Sequence, residues 1–156
     1  MAEGLTLNEI IIILFTSALP YLELRGGIPL ALGLGAQPWE AFILGVAGNL
    51  LPIVPVMLVL SFLTRWSHRY NLFYRLLQWV QRRTAKQQEK INRYGFLGLT
   101  VFVAIPLPMT GVWTGAAIAH LLGIKKRRAM PALALGAVIA GVIVTLAALG
   151  IFAIWQ

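Results

Sequence analysis

Long uncharged stretches alternate with short charged ones along this chain, and the length of each stretch decides what it forms. No charged residue lies between Ala41 and Thr64 or between Ala129 and Gln156. About 20 apolar residues cross the hydrocarbon core of a bilayer, so both stretches read as transmembrane helices. They contain Pro52, Pro55, Gly136 and Gly141, which membrane helices accept when neighbouring groups satisfy the freed backbone. The other apolar stretches fit no simple crossing. Ile10–Leu22 and Gly26–Trp39 are each too short, and Glu23 and Arg25 separate them. Tyr94–Ile124 is too long: at about 1.5 Å per residue it would overrun a core about 30 Å thick. Its middle reads IPLPMTG, with Pro106, Pro108 and Gly111 placed to break a helix. Each of these regions is predicted to be a re-entrant hairpin, two half-length arms joined by a broken tip.

The position of charge supports the hairpins. Basic residues gather at 65–93 and at Lys125–Arg128. Four plain crossings would put these groups on opposite sides, against the excess of Lys and Arg on cytoplasmic loops. With 94–124 as a hairpin, both face the cytoplasm. The N-terminus, the turn at Gln37–Glu40 and the C-terminus then lie outside, where the only charges are acidic. The start MAEGLTLNEI carries Glu3 and Glu9 and no basic residue, so no cleavable signal is predicted.

The halves match without gaps at an offset of 88 residues. Leu19-Pro20 matches Leu107-Pro108, Gly27 matches Gly115, Ala31 matches Ala119, Leu34-Gly35 matches Leu122-Gly123 and Gly48 matches Gly136. Charge makes the halves inverted, and inverted repeats with helices broken at mid-membrane are a transporter architecture. The predicted fold is an all-α membrane protein in one domain, 1–156. Two inverted repeats, about 8–64 and about 94–156, each hold a re-entrant helical hairpin followed by a transmembrane helix, with a basic cytoplasmic insert at 65–93. In that insert Leu72, Phe73, Leu76, Leu77 and Val80 recur on one helical face, and Arg82, Arg83, Lys86, Lys90 and Arg93 follow. This reads as an amphipathic helix on anionic membrane lipids, or as a topology determinant alone.

Candidate chemistry concentrates in PYLELRGGIPLALGLG, residues 20–35. Glu23 and Arg25 are charges flanked on both sides by apolar sequence, where each costs about 2.5–3.5 kcal/mol on the insertion scale. Such charges pair or line a wet cavity. Gly26 and Gly27 allow a sharp turn and close approach of a ligand, and Pro29 marks where a second half-helix begins. Amides at that helix start, with Arg25, would make an anion site. Phosphate is the natural ligand, since guanidinium binds it with two parallel hydrogen bonds. Glu23 is the candidate proton-coupling group; the alternative is that Glu23 and Arg25 only pair and hold the tip. In the second tip, IPLPMTGVWTG, Thr110, Trp113 and Thr114 could bind a headgroup facing the first tip. Alternatively the threonines satisfy freed carbonyls. His120 reads as a structural histidine.

Composition narrows the function classes. The chain is 59% hydrophobic and 12% charged, where soluble domains are about a quarter charged. A net charge of +8 does not point to nucleic acid, because no recognition fold accompanies it. The absence of cysteine excludes disulfides, thiolate metal sites and a cysteine nucleophile. With no cluster of ligating side chains and no nucleophile–base set, no metal, no cofactor and no enzymatic activity are predicted.

ELRGGIPLA near the N-terminus and IPLPMTGVWTG in the second half resemble the small multi-drug export proteins of bacteria and archaea, over nearly the whole chain. That family is distantly similar to the DedA/VTT group. The resemblance implies paired re-entrant hairpins, a multi-pass place in the cytoplasmic membrane, and proton-coupled handling of undecaprenyl phosphate, with Glu23 at the acidic position of the first hairpin. The second tip departs from the DedA pattern: it has Ala104 and Thr110 and no arginine.

Three functions follow. The first is a proton-coupled flippase or transporter of an anionic lipid carrier, such as a polyprenyl phosphate. The second is a proton-coupled exporter of hydrophobic cations, against which Arg25 argues by repulsion. The third is a membrane scaffold that transports nothing. So few spans would enclose a pathway more readily as a homodimer, with Gly136, Ala140 and Gly141 available for close helix packing.

Overall fold

The computed structural model describes residues 5–66, 88–107 and 110–154. Every element among them is a helix: α1 Leu7–Ala18, α2 Glu23–Gly33, α3 Pro38–Leu50, α4 Ile53–Trp66, α5 Gln88–Ala104, α6 Val112–Leu121 and α7 Lys126–Ile154. Helix α1 starts at a capping box. The Thr6 hydroxyl accepts from the Glu9 amide, and Glu9 accepts from the Thr6 amide at 2.7 Å. Helix α3 starts on Pro38, with Glu40 accepting from the Gln37 amide at 2.9 Å. Helices α3 and α4 form one apolar stretch, Pro38–Thr64, long enough to cross a membrane, and α7 supplies the other, Lys126–Ile151.

One element order occurs twice. Helices α1, α2 and α3 pack on one another, as α5, α6 and α7 do. The second set repeats the first at the 88-residue offset, and the match extends to the caps. Helix α2 ends with Gly35 at φ 89, the Ala36 amide bonding the Ala31 carbonyl and the Gly35 amide bonding Leu32, both at 3.0 Å. Helix α6 ends with Gly123 at φ 66, where Ile124 bonds Ala119 at 2.9 Å and Gly123 bonds His120 at 3.1 Å. Both are Schellman caps, which need a left-handed residue that glycine supplies without strain. Helices α3 and α7 then begin at residues 38 and 126, again 88 apart.

Small residues let these helices close. A side chain at Gly48 would meet Ser17 Cβ at 2.6 Å and the Leu14 carbonyl at 2.7 Å, so α3 rests directly on α1. At the equivalent place Gly136 lies against Val103 and the Thr100 carbonyl, bringing α7 onto α5. The buried core runs through both sets, with Ile13, Leu24, Ile28, Val112, Ala116 and Leu133 almost fully enclosed. Large apolar side chains such as Phe15, Ile43, Leu58 and Leu146 remain exposed, as they do where lipid is the solvent.

Several sequence expectations need correction. The first break is not at Gly26-Gly27. The chain turns over Leu19–Leu22, and both glycines lie inside α2. Pro29 is also inside α2 rather than at its start. The Ala41–Thr64 crossing is interrupted between Leu50 and Ile53, where Pro52 and Pro55 remove two helical donors. The described part of helix α5 starts at Gln88, and residues 67–87 of the stretch assigned to the insert lie outside the described residues. Gly136 and Gly141 are covered within the chain, Gly141 by Val46 and Phe42 of α3, and Ala140 is buried. These residues therefore offer no free face to a second copy. Arg82, Arg83 and Lys86, with the apolar face at 72–80, lie outside the described residues, and Lys90 and Arg93 are described only as backbone of α5.

Candidate functional site

The break at 19–22 and the described residues of the second break, 105–107 and 110–111, meet. Helix α2 begins at Glu23 and helix α6 at Val112, and the two helix starts lie together, Glu23 against Gly111. The first turn of a helix has four amides without helical partners and the positive end of the dipole. An acceptor there is stabilised.

The protein supplies that acceptor itself. Glu23 is 6% exposed, and its carboxylate bonds the backbone amides of Val112 and Trp113 at the start of α6. Gly111, the N-cap of α6, is buried beneath it, and a Cβ on Gly111 would overlap the carboxylate. The backbone of Glu23 bends to make this fit. Its φ of 49 is the only positive value among the described non-glycine residues. Such a conformation costs about 1–3 kcal/mol and persists only where the surroundings over-determine it.

Arg25 crosses to the same segment. Its Nη2 donates to the Thr110 carbonyl at 3.2 Å and to the Thr110 hydroxyl at 3.3 Å. Thr110 is itself tied into the break, its hydroxyl donating to the Ile105 and Leu107 carbonyls at 2.7 and 2.8 Å and accepting from the Leu107 amide at 3.1 Å. Thr110 therefore satisfies freed backbone and also anchors Arg25. In the opposite direction, Trp113 Nε1 donates to the Ala18 carbonyl at 3.1 Å, at the end of α1. Arg25 and Trp113 are 88 residues apart; Arg25 bonds the second broken segment and Trp113 bonds the last residue of α1, next to the first.

Glu23, Arg25, Thr110 and Trp113 thus come together as the sequence predicts, but not in the predicted pairing. Glu23 and Arg25 sit two residues apart and each takes its hydrogen bonds from the other half. Gly27 is buried against Ser17 rather than open to a ligand, Gly26 faces Leu22, and Thr114 is half-buried on α6 and takes no part in the contact. His120 Nε2 lies 2.5 Å from the Thr64 hydroxyl of α4, a satisfied structural contact. Sequence reasoning missed Gly111 as the seat of Glu23. The 88-residue offset contained the signal, since Glu23 and Gly111 are equivalent positions.

Beside Trp113, helices α4 and α6 flank an open apolar pocket of about 310 Å³ lined by Pro55, Val56, Val59, Leu60, Trp113 and Ala117. One wall of this pocket is therefore the residue that ties α6 to the end of α1. The arrangement can hold a small charged group at the helix starts and an apolar body against α4.

No curated protein and no solved structure matches the chain. A family profile described as "Putative small multi-drug export protein" matches residues 23–143, beginning at Glu23 and taking in the second break. With that match over more than half its length, and two helices apolar enough to cross a bilayer, the chain belongs to this family of small multi-drug export membrane proteins.

Proposed function

We propose that the chain is a proton-coupled transporter of an amphiphile with an anionic headgroup, such as a polyprenyl phosphate, and that its two halves are inverted repeats with re-entrant tips. One observation carries this reading. The carboxylate of Glu23 occupies the start of α6, a position suited to any anion, while Arg25 holds the neighbouring break through Thr110. A substrate anion competes with Glu23 for those amides. Protonating Glu23 removes its negative charge and weakens its hold, so proton and anion enter the site together. Arg25 then turns from Thr110 to the headgroup, where its planar fork matches phosphate. The apolar pocket beside Trp113 takes the start of the hydrocarbon chain.

A second reading is export of a hydrophobic cation. The family description favours it, and so does the Trp113 ring at the pocket wall, since an indole face attracts cations. Binding measurements in nanodiscs separate the two, with undecaprenyl phosphate and tetraphenylphosphonium as probes of wild type, Arg25→Ala and Glu23→Gln. The anion reading expects phosphate-lipid binding that strengthens as pH falls, is lost in Arg25→Ala and loses its pH dependence in Glu23→Gln. Tetraphenylphosphonium binding that survives Arg25→Ala, with no phosphate-lipid binding by any variant, would sink it in favour of cation export.

A further inference from the structure

Helices α1 and α3 begin side by side, and an open pocket of about 350 Å³ lies between their starts, lined by Leu5, Ile10, Trp39, Glu40, Ile43 and Leu44. Ligand pockets begin at about 300 Å³, so the space is of a useful size. Its lining is apolar apart from one carboxylate, and no basic residue belongs to it. None of these residues takes part in the junction of Glu23 with Gly111.

The polar and apolar groups follow a definite order. Glu40 sits in the first turn of α3, at the end of the apolar stretch Pro38–Thr64. Ile43 and Leu44 come about one turn, or 5.4 Å, further along that stretch. Ile10 is likewise one turn beyond Thr6, the cap of α1. The pocket is therefore charged at its rim and apolar further in. Trp39 stands at the rim, where its Nε1 donates to Gln37 Oε1 at 2.8 Å; tryptophan gathers at the headgroup level of bilayers. Glu40 Oε2 accepts from the Gln37 amide at 2.9 Å, while Oε1 takes no bond among the described residues. One oxygen caps the helix and the other is left for a donor. Trp39 is 58% exposed and Ile43 53%, so the pocket opens on the side of the bundle rather than into its core.

We infer that this pocket binds a phospholipid whose headgroup carries a primary ammonium, as phosphatidylethanolamine does, with the ammonium on Glu40 and the start of an acyl chain running inward past Ile43. A carboxylate attracts an ammonium and repels an anionic headgroup. A primary ammonium brings three N–H donors to the open oxygen, where a choline group brings none. Recognition of choline uses a cage of aromatic faces, and here Trp39 is the one aromatic residue in the lining. The order of charge and hydrocarbon along α3 is that of a lipid lying in its own leaflet, which a small hydrophilic amine does not match. The inference does not rest on the transport reading.

Lipid competition tests it. The full chain, purified in detergent, is given dioleoyl phosphatidylethanolamine, phosphatidylcholine or phosphatidylglycerol, and bound lipid is measured by native mass spectrometry. Wild type should bind the ethanolamine lipid severalfold more tightly than the other two. Glutamine still closes a capping box, so Glu40→Gln keeps the start of α3 and removes only the charge. It should bring the ethanolamine lipid down to the level of the choline lipid. Glu9→Gln makes the same change at the capping carboxylate of α1, which does not line the pocket, and should leave the preference intact. Ile43→Trp fills the apolar part without touching the charge, and should weaken the ethanolamine lipid severalfold. Equal binding of the ethanolamine and choline lipids by wild type overturns the inference, since acyl chains alone would then account for the hold. So does a preference that persists in Glu40→Gln, or one lost equally in Glu9→Gln, which would report net charge. Tightest binding of the glycerol lipid overturns it in favour of an anion. Should Glu40→Gln melt early, Ile43→Trp decides alone, and undiminished binding of the ethanolamine lipid there overturns the site.

Discussion

Glu23 and Gly111 hold the same position in the two halves, 88 residues apart, and the carboxylate of one rests on the backbone of the other. One half supplies the charge at this junction and the other supplies the space for it. Identical residues at the two positions could not do this. Two carboxylates would repel, and two glycines would leave both helix starts without an acceptor.

The three atoms nearest to a side chain added at Gly111 all belong to the Glu23 carboxylate. Gly111 has φ −120 and ψ −167, extended backbone that alanine adopts without strain. Gly111→Ala should therefore displace the carboxylate, cost about 1–3 kcal/mol through the lost charge-assisted bonds, and abolish transport. In a Glu23→Ala background the same substitution should cost almost nothing. Thermal melts of the four proteins in detergent measure the difference. Equal costs in both backgrounds would mean that Gly111 is crowded by something other than Glu23.

The φ of 49 at Glu23 gives a sign that is opposite to the usual one. Inside a helix glycine is less stable than alanine by about 1 kcal/mol. At position 23 the left-handed backbone reverses this, so Glu23→Gly should be more stable than Glu23→Ala by about 1 kcal/mol, with both inactive. Chemical denaturation of the two variants gives the comparison. Alanine proving the more stable would show that α2 relaxes to an ordinary helix start once the carboxylate is gone.

Lengths of uncharged sequence were enough to find both candidate spans and the second broken segment, while the first break falls at Leu19–Leu22, ahead of the glycines that were expected to make it. Glu23, Arg25, Thr110 and Trp113 were legible because charge, proline and hydroxyl are costly or disruptive in apolar sequence. The partner each one takes was not. Glu23 and Arg25 are two residues apart in sequence and invite pairing, but the amides that hold Glu23 and the Thr110 oxygens that Arg25 bonds come from the second break. Gly26-Gly27 reads as a turn by local preference. Packing overrides that preference, because Gly27 must admit Ser17. The break at Leu51-Pro52 was visible in Pro52 and Pro55, yet apolar length alone joined α3 to α4.

Glycines in contact and glycines in the open should respond oppositely. Gly48→Ala would press on the Leu14 carbonyl at 2.7 Å, and Gly136→Ala on the Thr100 carbonyl at 2.8 Å. Backbone cannot move aside as a side chain can, so each should lose about 1–3 kcal/mol. Gly98 and Gly150 lie within α5 and α7 with nothing within 4 Å of an added Cβ. Alanine there should be neutral or stabilising by up to about 1 kcal/mol. Melting temperatures of the four single variants decide it. Similar losses at all four would mean that the open positions are covered by a partner in the membrane.

The last prediction concerns how the halves face the membrane. The helix-to-helix turns at Gln37 and Lys125 are equivalent, 88 residues apart, and both residues are exposed. If the halves are inverted, these turns lie on opposite sides of the bilayer. If they are direct repeats, the turns share one side. The chain contains no cysteine, so single cysteines can be introduced without removing any. An impermeant maleimide added to intact cells should label Gln37→Cys at once and Lys125→Cys only after the membrane is opened. A cysteine at Asn8, exposed in the first turns of α1, should behave like Gln37→Cys, because a hairpin that enters and leaves by one face returns its second arm to the side it came from. Opposite sides for positions 8 and 37 would make α1 and α2 a full crossing. Labelling of positions 37 and 125 from one side would leave the tips related by translation. The meeting of Glu23 with Gly111 would then belong to a bundle of another topology, and the transport reading would lose its architectural support.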